Sequence, residues 1–246
     1  MTATRLLGAI AAQLSTELAL TLRRGESILV TLIIPAVLLV FFASSRVLPG
    51  AGAHIDYLLP GTLALAVIST GLVSLGIATA YERYYGVLKL LGSTPLPRSG
   101  LVAAKLLSVL VFEALQIALL VSAATIFYGW RIQGSLPLTF VSLLLGSLAF
   151  AGLGLTLAGA LRAESTLAIA NGLFLSFLLL GDLYVPLDHL PAWVESIAKL
   201  LPAAALAEML RATLKTPLQL PREPGIVLLV WAILAPVAAA LSFKWE

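Results

Sequence analysis

Residues 138–161 read LTFVSLLLGSLAFAGLGLTLAGAL, a run without a single charge that ends against Arg162. As a helix rising ~1.5 Å per residue it covers about 36 Å, enough to cross a hydrocarbon core ~30 Å thick. Its apolar residues occupy every face and do not alternate, so neither a half-buried strand nor a lipid-facing barrel strand fits. The stretch predicts a membrane-spanning helix. Gln133, Gly134, Ser135, Leu136 and Pro137 just before it are turn formers, which puts the expected start near Leu138.

Working outward and cutting the chain at its charges gives five more spans, at 27–45, 57–81, 106–130, 165–181 and 224–243. Only Glu113 interrupts the third of the six, and the fifth, at 165–181, is near the minimum length for a crossing. The expected architecture is an all-α integral membrane protein with six transmembrane helices, in one transmembrane domain over 1–246. Composition points the same way. Hydrophobic residues make up 60% and charged residues 11%, with mean hydropathy +1.05, against about 45–50% and about 25% in soluble domains. Too little polar surface exists to coat a globule. The absence of cysteine excludes disulfides, thiolate catalysis and Cys-ligated metals, and His54 and His189 leave little for a metal or haem. The net charge of +3 reflects loop placement and not a nucleic-acid surface.

Lysines and arginines orient the chain. With the N-terminus in the cytoplasm, Arg5, Arg23, Arg24, Arg83, Lys89, Arg98, Lys105, Arg162 and Lys244 all lie inside, and both ends are expected there. Residues 1–25 repeat Leu6, Ile10, Leu14, Leu18 and Leu22 every fourth position, with Arg5, Gln13, Glu17 and Arg24 on other faces. An amphipathic helix lying at the membrane interface fits this better than a signal peptide.

The loop 82–105 is too polar to span. Val87, Leu88, Leu90 and Leu91 mixed with Glu82, Arg83 and Lys89 predict a short interfacial helix, and Pro95 and Pro97 a rigid corner after it. It is either a plain connector or a docking surface for a cytoplasmic partner. Here the chain resembles the type-2 permeases of ATP-binding-cassette (ABC) transporters, including daunorubicin-resistance-like exporters. Their Glu-Arg-x-x-Gly-x-x-x-x-Leu-x-x-x-Pro loop runs here from Glu82-Arg83-Tyr84-Tyr85-Gly86 to Thr94-Pro95. Leu183-Tyr184-Val185-Pro186-Leu187, Leu201-Pro202 and Glu208-Met209-Leu210-Arg211 are similar to the family's segment after the fifth span. The resemblance implies a coupling helix fitted to an ATPase, with Glu82, Arg83, Gly86, Leu90, Thr94 and Pro95 as the transmission site. Many relatives carry a charged pair where this chain has Tyr84 and Tyr85. It further implies two ATPase subunits that bind ATP and Mg, a second permease copy or paralogue, and no cofactor in this chain.

Residues 182–223 are mostly apolar despite their charges and predict two short helices. One opens at Pro191, with Glu195 paired to Lys199. A second follows Pro202, with Leu206, Leu210 and Leu214 opposed to Glu208, Arg211 and Lys215. They either rest on the membrane surface or, as the resemblance implies, re-enter the outer leaflet with Pro186, Leu187, Pro191 and Trp193 as an extracellular gate. Glu113 within its span is either a polar lining or proton-carrying group or one end of an interhelical hydrogen bond, with Gln116 or Ser108 in reach. Gly146, Ala149, Gly152 and Gly154 suit close helix packing.

No glycine-lysine pair exists, so no phosphate-cradling loop does either, and any ATP-driven motor must be a separate polypeptide. An intramembrane enzyme needs a nucleophile with a base or a metal-binding cluster, and the spans offer neither. An ATP-independent secondary transporter or channel is the alternative, though neither an internal repeat nor a second buried charge speaks for it. The expected pathway comprises Thr62, Ser69 and Thr70 of the second span and Asn171, Phe174 and Phe177 of the fifth. Such an apolar lining with sparse polar groups suits hydrophobic or amphiphilic cargo.

Overall fold

The computed structural model describes residues 3–23, 32–44, 55–93, 97–216, 218 and 220–242. Among them the regular structure is helical, with no strand. Ten α-helices follow in order: α1 Ala3–Arg23, α2 Ile34–Ser44, α3 Ile55–Tyr84, α4 Val87–Gly92, α5 Arg98–Tyr128, α6 Leu136–Ala160, α7 Ala163–Leu180, α8 Ala192–Ala198, α9 Pro202–Leu214 and α10 Arg222–Ser242. A 3₁₀ turn, Leu187–His189, precedes α8. Five of the helices, α3, α5, α6, α7 and α10, are long and apolar enough to cross a membrane. The sixth expected span, 27–45, is described only as the 11-residue α2, its flanks lying outside the described residues.

Helix ends follow local chemistry. Pro137 stands at the first turn of α6, where its missing N–H costs nothing, so the helix starts at Leu136 and not at Leu138. Pro202 opens α9 in the same way. The expected loop 82–105 is much shorter than the charges suggested. α3 runs on through Glu82 and Arg83 to Tyr84, and α5 already begins at Arg98. Both extensions are possible because the polar side chains involved find partners inside the protein, as described below. Gly86, at φ +74°, makes the left-handed turn between α3 and α4.

α3 occupies the centre, buried almost throughout from Leu58 to Leu72. α6 packs between α3 and α10, with backbones close enough to require glycine. A Cβ on Gly152 would meet the Pro236 nitrogen at 2.5 Å, and one on Gly154 the Gly71 carbonyl oxygen at 2.5 Å. Gly146 lies against Leu206 and Ala149 is fully buried, so all four small residues do serve close packing. α9 has only 13 residues, about 20 Å and too short to cross. It packs nonetheless against α3, α6, α7 and α10, with Pro202 to Ala207 all buried.

Candidate functional site

A cavity of about 770 Å³ lies beside the second half of α3, with walls from α1, α2, α3, α5 and α7. Inside α3, Ser69–Ser74 forms a π-helical turn, a feature that interrupts the regular ladder and is frequent at functional sites. Ser69, Thr70 and Ser74 face the cavity from this turn, joined by Gln116 of α5 and by Asn171 and Phe174 of α7. The Thr70 hydroxyl donates to Gln116 Oε1 at 2.8 Å, and Asn171 Nδ2 donates to the Leu167 carbonyl at 2.9 Å. The rest of the lining is largely aliphatic. Four of the six expected pathway residues therefore share one cavity: Ser69, Thr70, Asn171 and Phe174. The other two are core residues. Thr62 is fully buried with its hydroxyl 3.1 Å from the Tyr184 hydroxyl, and Phe177 stacks edge-on against Phe150.

At the Tyr84 end of α3 the cavity reaches an ion cluster. The Lys105 ammonium, 1% exposed, lies 2.8 Å from Glu17 Oε1 and 2.6 Å from Glu82 Oε2. Gln13 Nε2 adds a 2.9 Å hydrogen bond to Glu17. One cation thus joins α1, α3 and α5. Glu82, expected among the ATPase contacts, is buried and spends its charge inside the protein. Glu17 likewise leaves the outward polar face of α1 and turns in toward Lys105, adding a second carboxylate to an ammonium that Glu82 already pairs.

Next to Glu82, Arg83 donates from Nη1 to the Gly159 carbonyl and from Nη2 to the Leu161 carbonyl. These oxygens belong to the last turn of α6 and the residue following it, where carbonyls lack intrahelical partners and attract cations. Beyond Arg83 exposure rises, with Tyr85 and Val87 at the edge of the cavity. Tyr84, Tyr85 and Leu90 are 63%, 72% and 71% exposed, and Val87 is exposed as well. Leu88 points the other way, packing on Leu101 with Ile10 of α1 nearby, and this fixes α4 in place. Thr94 and Pro95 lie outside the described residues.

The opposite end of α3 carries a second cluster. Arg211 of α9 donates to Asp182 through Oδ2 and through the backbone carbonyl, and its guanidinium sits 3.9 Å from the Tyr57 ring centroid. The Tyr57 hydroxyl donates to Asp182 Oδ1 at 3.0 Å. Arg211, expected on the polar side of α9, is instead buried, since Asp182 offers both charge and carbonyl where α7 ends. Of the expected gate residues Leu187 is buried, Pro186 half-buried, and Pro191 and Trp193 exposed, Trp193 by 70%. The Glu195–Lys199 pair forms at 2.6 Å, and Glu195 holds the Lys199 ammonium above its ordinary pKa.

Glu113 is 3% exposed, does not line the cavity, and accepts a hydrogen bond from Ser147 of α6. Its partner is neither Gln116, which is held by Thr70, nor Ser108, which donates to the Lys105 carbonyl at 2.8 Å. Glu113 is accordingly an interhelical tie between α5 and α6. No group of three or more potential metal ligands occurs among the described residues.

The most informative residues missed at the sequence level are Lys105, Glu17, Tyr57 and Asp182. A clue was available for Lys105, which stands between Ala103-Ala104 and Leu106-Leu107 in an otherwise apolar run.

Comparison with known proteins finds relatives whose names are those of transport permeases. A "Putative transport permease YvfS" of Bacillus subtilis (strain 168) is 27% identical over 197 residues, 76% of this chain and 78% of that protein. A "Probable multidrug ABC transporter permease YbhS" of Escherichia coli (strain K12) is 27% identical over 160 residues, 63% of this chain. That match spans only 42% of the length of YbhS. The family model described as "ABC-2 type transporter" matches residues 9–215, a range that holds the cavity and both ion clusters. The chain belongs to the ABC-2 type transporter family, as a multi-pass membrane protein.

Proposed function

We propose that this chain is the membrane-spanning permease subunit of an ABC exporter and moves a hydrophobic or amphiphilic compound, drug-like or lipid-like, out of the cytoplasm or inner leaflet. The observation that carries this reading is a cavity of about 770 Å³, lined mainly by aliphatic and aromatic side chains with a few hydroxyls and amides and with Glu17, Glu82 and Lys105 at one end, that runs directly into the Glu82–Val87 stretch. Cargo of mixed polarity suits such walls. Tyr84, Tyr85, Val87 and Leu90 give an ATPase an exposed apolar face to press on.

In this reading α2 is part of a sixth span, both ends are cytoplasmic, and α8 and α9 re-enter from the outer side beside α7. The burial of α9 among spanning helices supports re-entry over a surface position. Two copies, or this chain and a paralogue, face each other above two ATPase subunits that bind ATP and Mg. ATPase closure pushes the Tyr84–Gly92 segment and tilts the cavity walls, and cargo leaves on the far side.

The test is co-expression with an ABC ATPase and purification in detergent. The ATPase should leave with this chain, and hydrolysis should respond to a fluorescent amphiphilic dye that reconstituted vesicles also transport. Dye accumulation by vesicles holding this polypeptide alone would overturn the proposal.

A further inference from the structure

We propose that the adjacent residues Glu82 and Arg83 deliver movement of the Tyr84–Gly92 segment to different cavity walls, Glu82 through Lys105 and Arg83 through the end of α6. This inference rests on the function proposed above. Lys105 belongs to α5, whose Val109, Phe112 and Gln116 line the cavity, and it also grips Glu17 of α1. Glu82 is therefore tied by one ammonium to the α5 wall and to the N-terminal helix together.

Arg83 reaches elsewhere. The carbonyls of Gly159 and Leu161 that it holds flank the corner where α6 gives way to α7. That corner is stiff. The Thr166 amide bonds the Arg162 carbonyl at 2.8 Å and its hydroxyl reaches the Leu157 carbonyl at 3.3 Å, stitching the first turn of α7 to the last turn of α6. α7 carries Leu167, Asn171 and Phe174 into the cavity. Because the acceptors are backbone atoms, the guanidinium is the only exchangeable half of this tie. Its planar fork serves two carbonyls at once, which a lysine point charge does not reproduce. Arg83 and Lys105 are in this view positioning residues that act on the walls and not on cargo.

The experiment uses this chain with its ATPase in lipid vesicles, reading dye transported per ATP hydrolysed. In Arg83→Gln, transport per ATP hydrolysed should fall about ten-fold or more, as expected for losing charge-assisted hydrogen bonds. Arg83→Lys should fall between. The absence of cysteine allows spin labels on an otherwise unaltered chain, at Ser93→Cys with Glu164→Cys and at Ser93→Cys with Ser15→Cys, all three exposed positions. Both distances should stay fixed on nucleotide binding in the wild-type background, since each pair is joined through a tie. Arg83→Gln should release the first pair alone, and Lys105→Met the second. Wild-type transport per ATP in Arg83→Gln, or a nucleotide-driven change of either distance without those substitutions, overturns the inference but leaves the proposed function standing. A wild-type complex that fails to retain an ATPase overturns both.

Discussion

Replacing Lys105 by methionine keeps the stem that packs in the protein and removes only the charge. Both carboxylates then lose the Lys105 ammonium, and their side chains are only 10% and 9% exposed. Both oxygens lie within 2.8 Å of the same nitrogen, so they sit at most about 5.4 Å apart, and at an effective dielectric constant of ~20 their repulsion is at least roughly 3 kcal/mol. Breaking one partner out of a buried pair generally costs about 3–5 kcal/mol. At about 2–4 °C per kcal/mol for a chain of this size, Lys105→Met should lower the unfolding midpoint by on the order of 10 °C. The assay is thermal unfolding in lipid nanodiscs at a fixed scan rate, because membrane proteins seldom unfold reversibly. Adding Glu17→Gln removes one of the two like charges, so the double variant should recover roughly 2–3 kcal/mol of the loss. If the two substitutions are additive, no coupling exists between the residues and the cluster does not hold the helices as described.

Arg211→Met should cost about 3–5 kcal/mol by stranding Asp182, whereas Tyr57→Phe, which deletes one hydrogen bond to the same carboxylate, should cost about 1 kcal/mol in the same assay. Gly61→Ala would set a methyl 1.9 Å from the Leu183 carbonyl oxygen. Backbone stands on both sides, so expression should fall and unfolding shift by about 1–3 kcal/mol or more. Gly225→Ala meets only the flexible Met209 side chain at 3.6 Å, and should be neutral or stabilising by up to about 1 kcal/mol. Gly86 has nothing within 4 Å of its missing Cβ, so only its φ of +74° matters. Gly86→Val should cost about 1–2 kcal/mol and lower transport per ATP, with Gly86→Asn milder because asparagine tolerates the left-handed region.

The crossing helices were legible because lipid is an unforgiving solvent: an uncharged run of membrane length has few other destinations. Their ends were less so. Glu82 and Arg83 look like the start of a loop until Lys105 and the α6 carbonyls are seen to neutralise them within the helix. The same limit explains Glu17 and Arg211. Helical periodicity sorts residues into faces but does not say what each face meets, and Lys105 lies 23 positions from Glu82 and on a separate helix from both carboxylates. The loop motif was found where it stands, yet Glu82 and Arg83 turned inward and Leu90 outward. The cavity was half legible. Polar residues in apolar spans located Ser69, Thr70 and Asn171, whereas Thr62, two turns before Ser69 on the same face of α3, differs in depth along the helix, and a uniformly apolar sequence does not reveal where along it a cavity lies.

Among the described residues, α3 is tied to an ion cluster at each end. Near its start Tyr57 and Thr62 are bonded to Asp182 and Tyr184, and near its finish Glu82 and Arg83 are bonded to Lys105 and the end of α6. Each tie is worth about 1 kcal/mol or more, so a rigid rod would have to break several of them at once to tilt. Between the clusters lies the π-helical turn Ser69–Ser74, whose hydrogen-bond register already departs from the α pattern. A bend there would spare both clusters. Since Ser69, Thr70 and Ser74 face the cavity from that same turn, it would reshape the cavity as well.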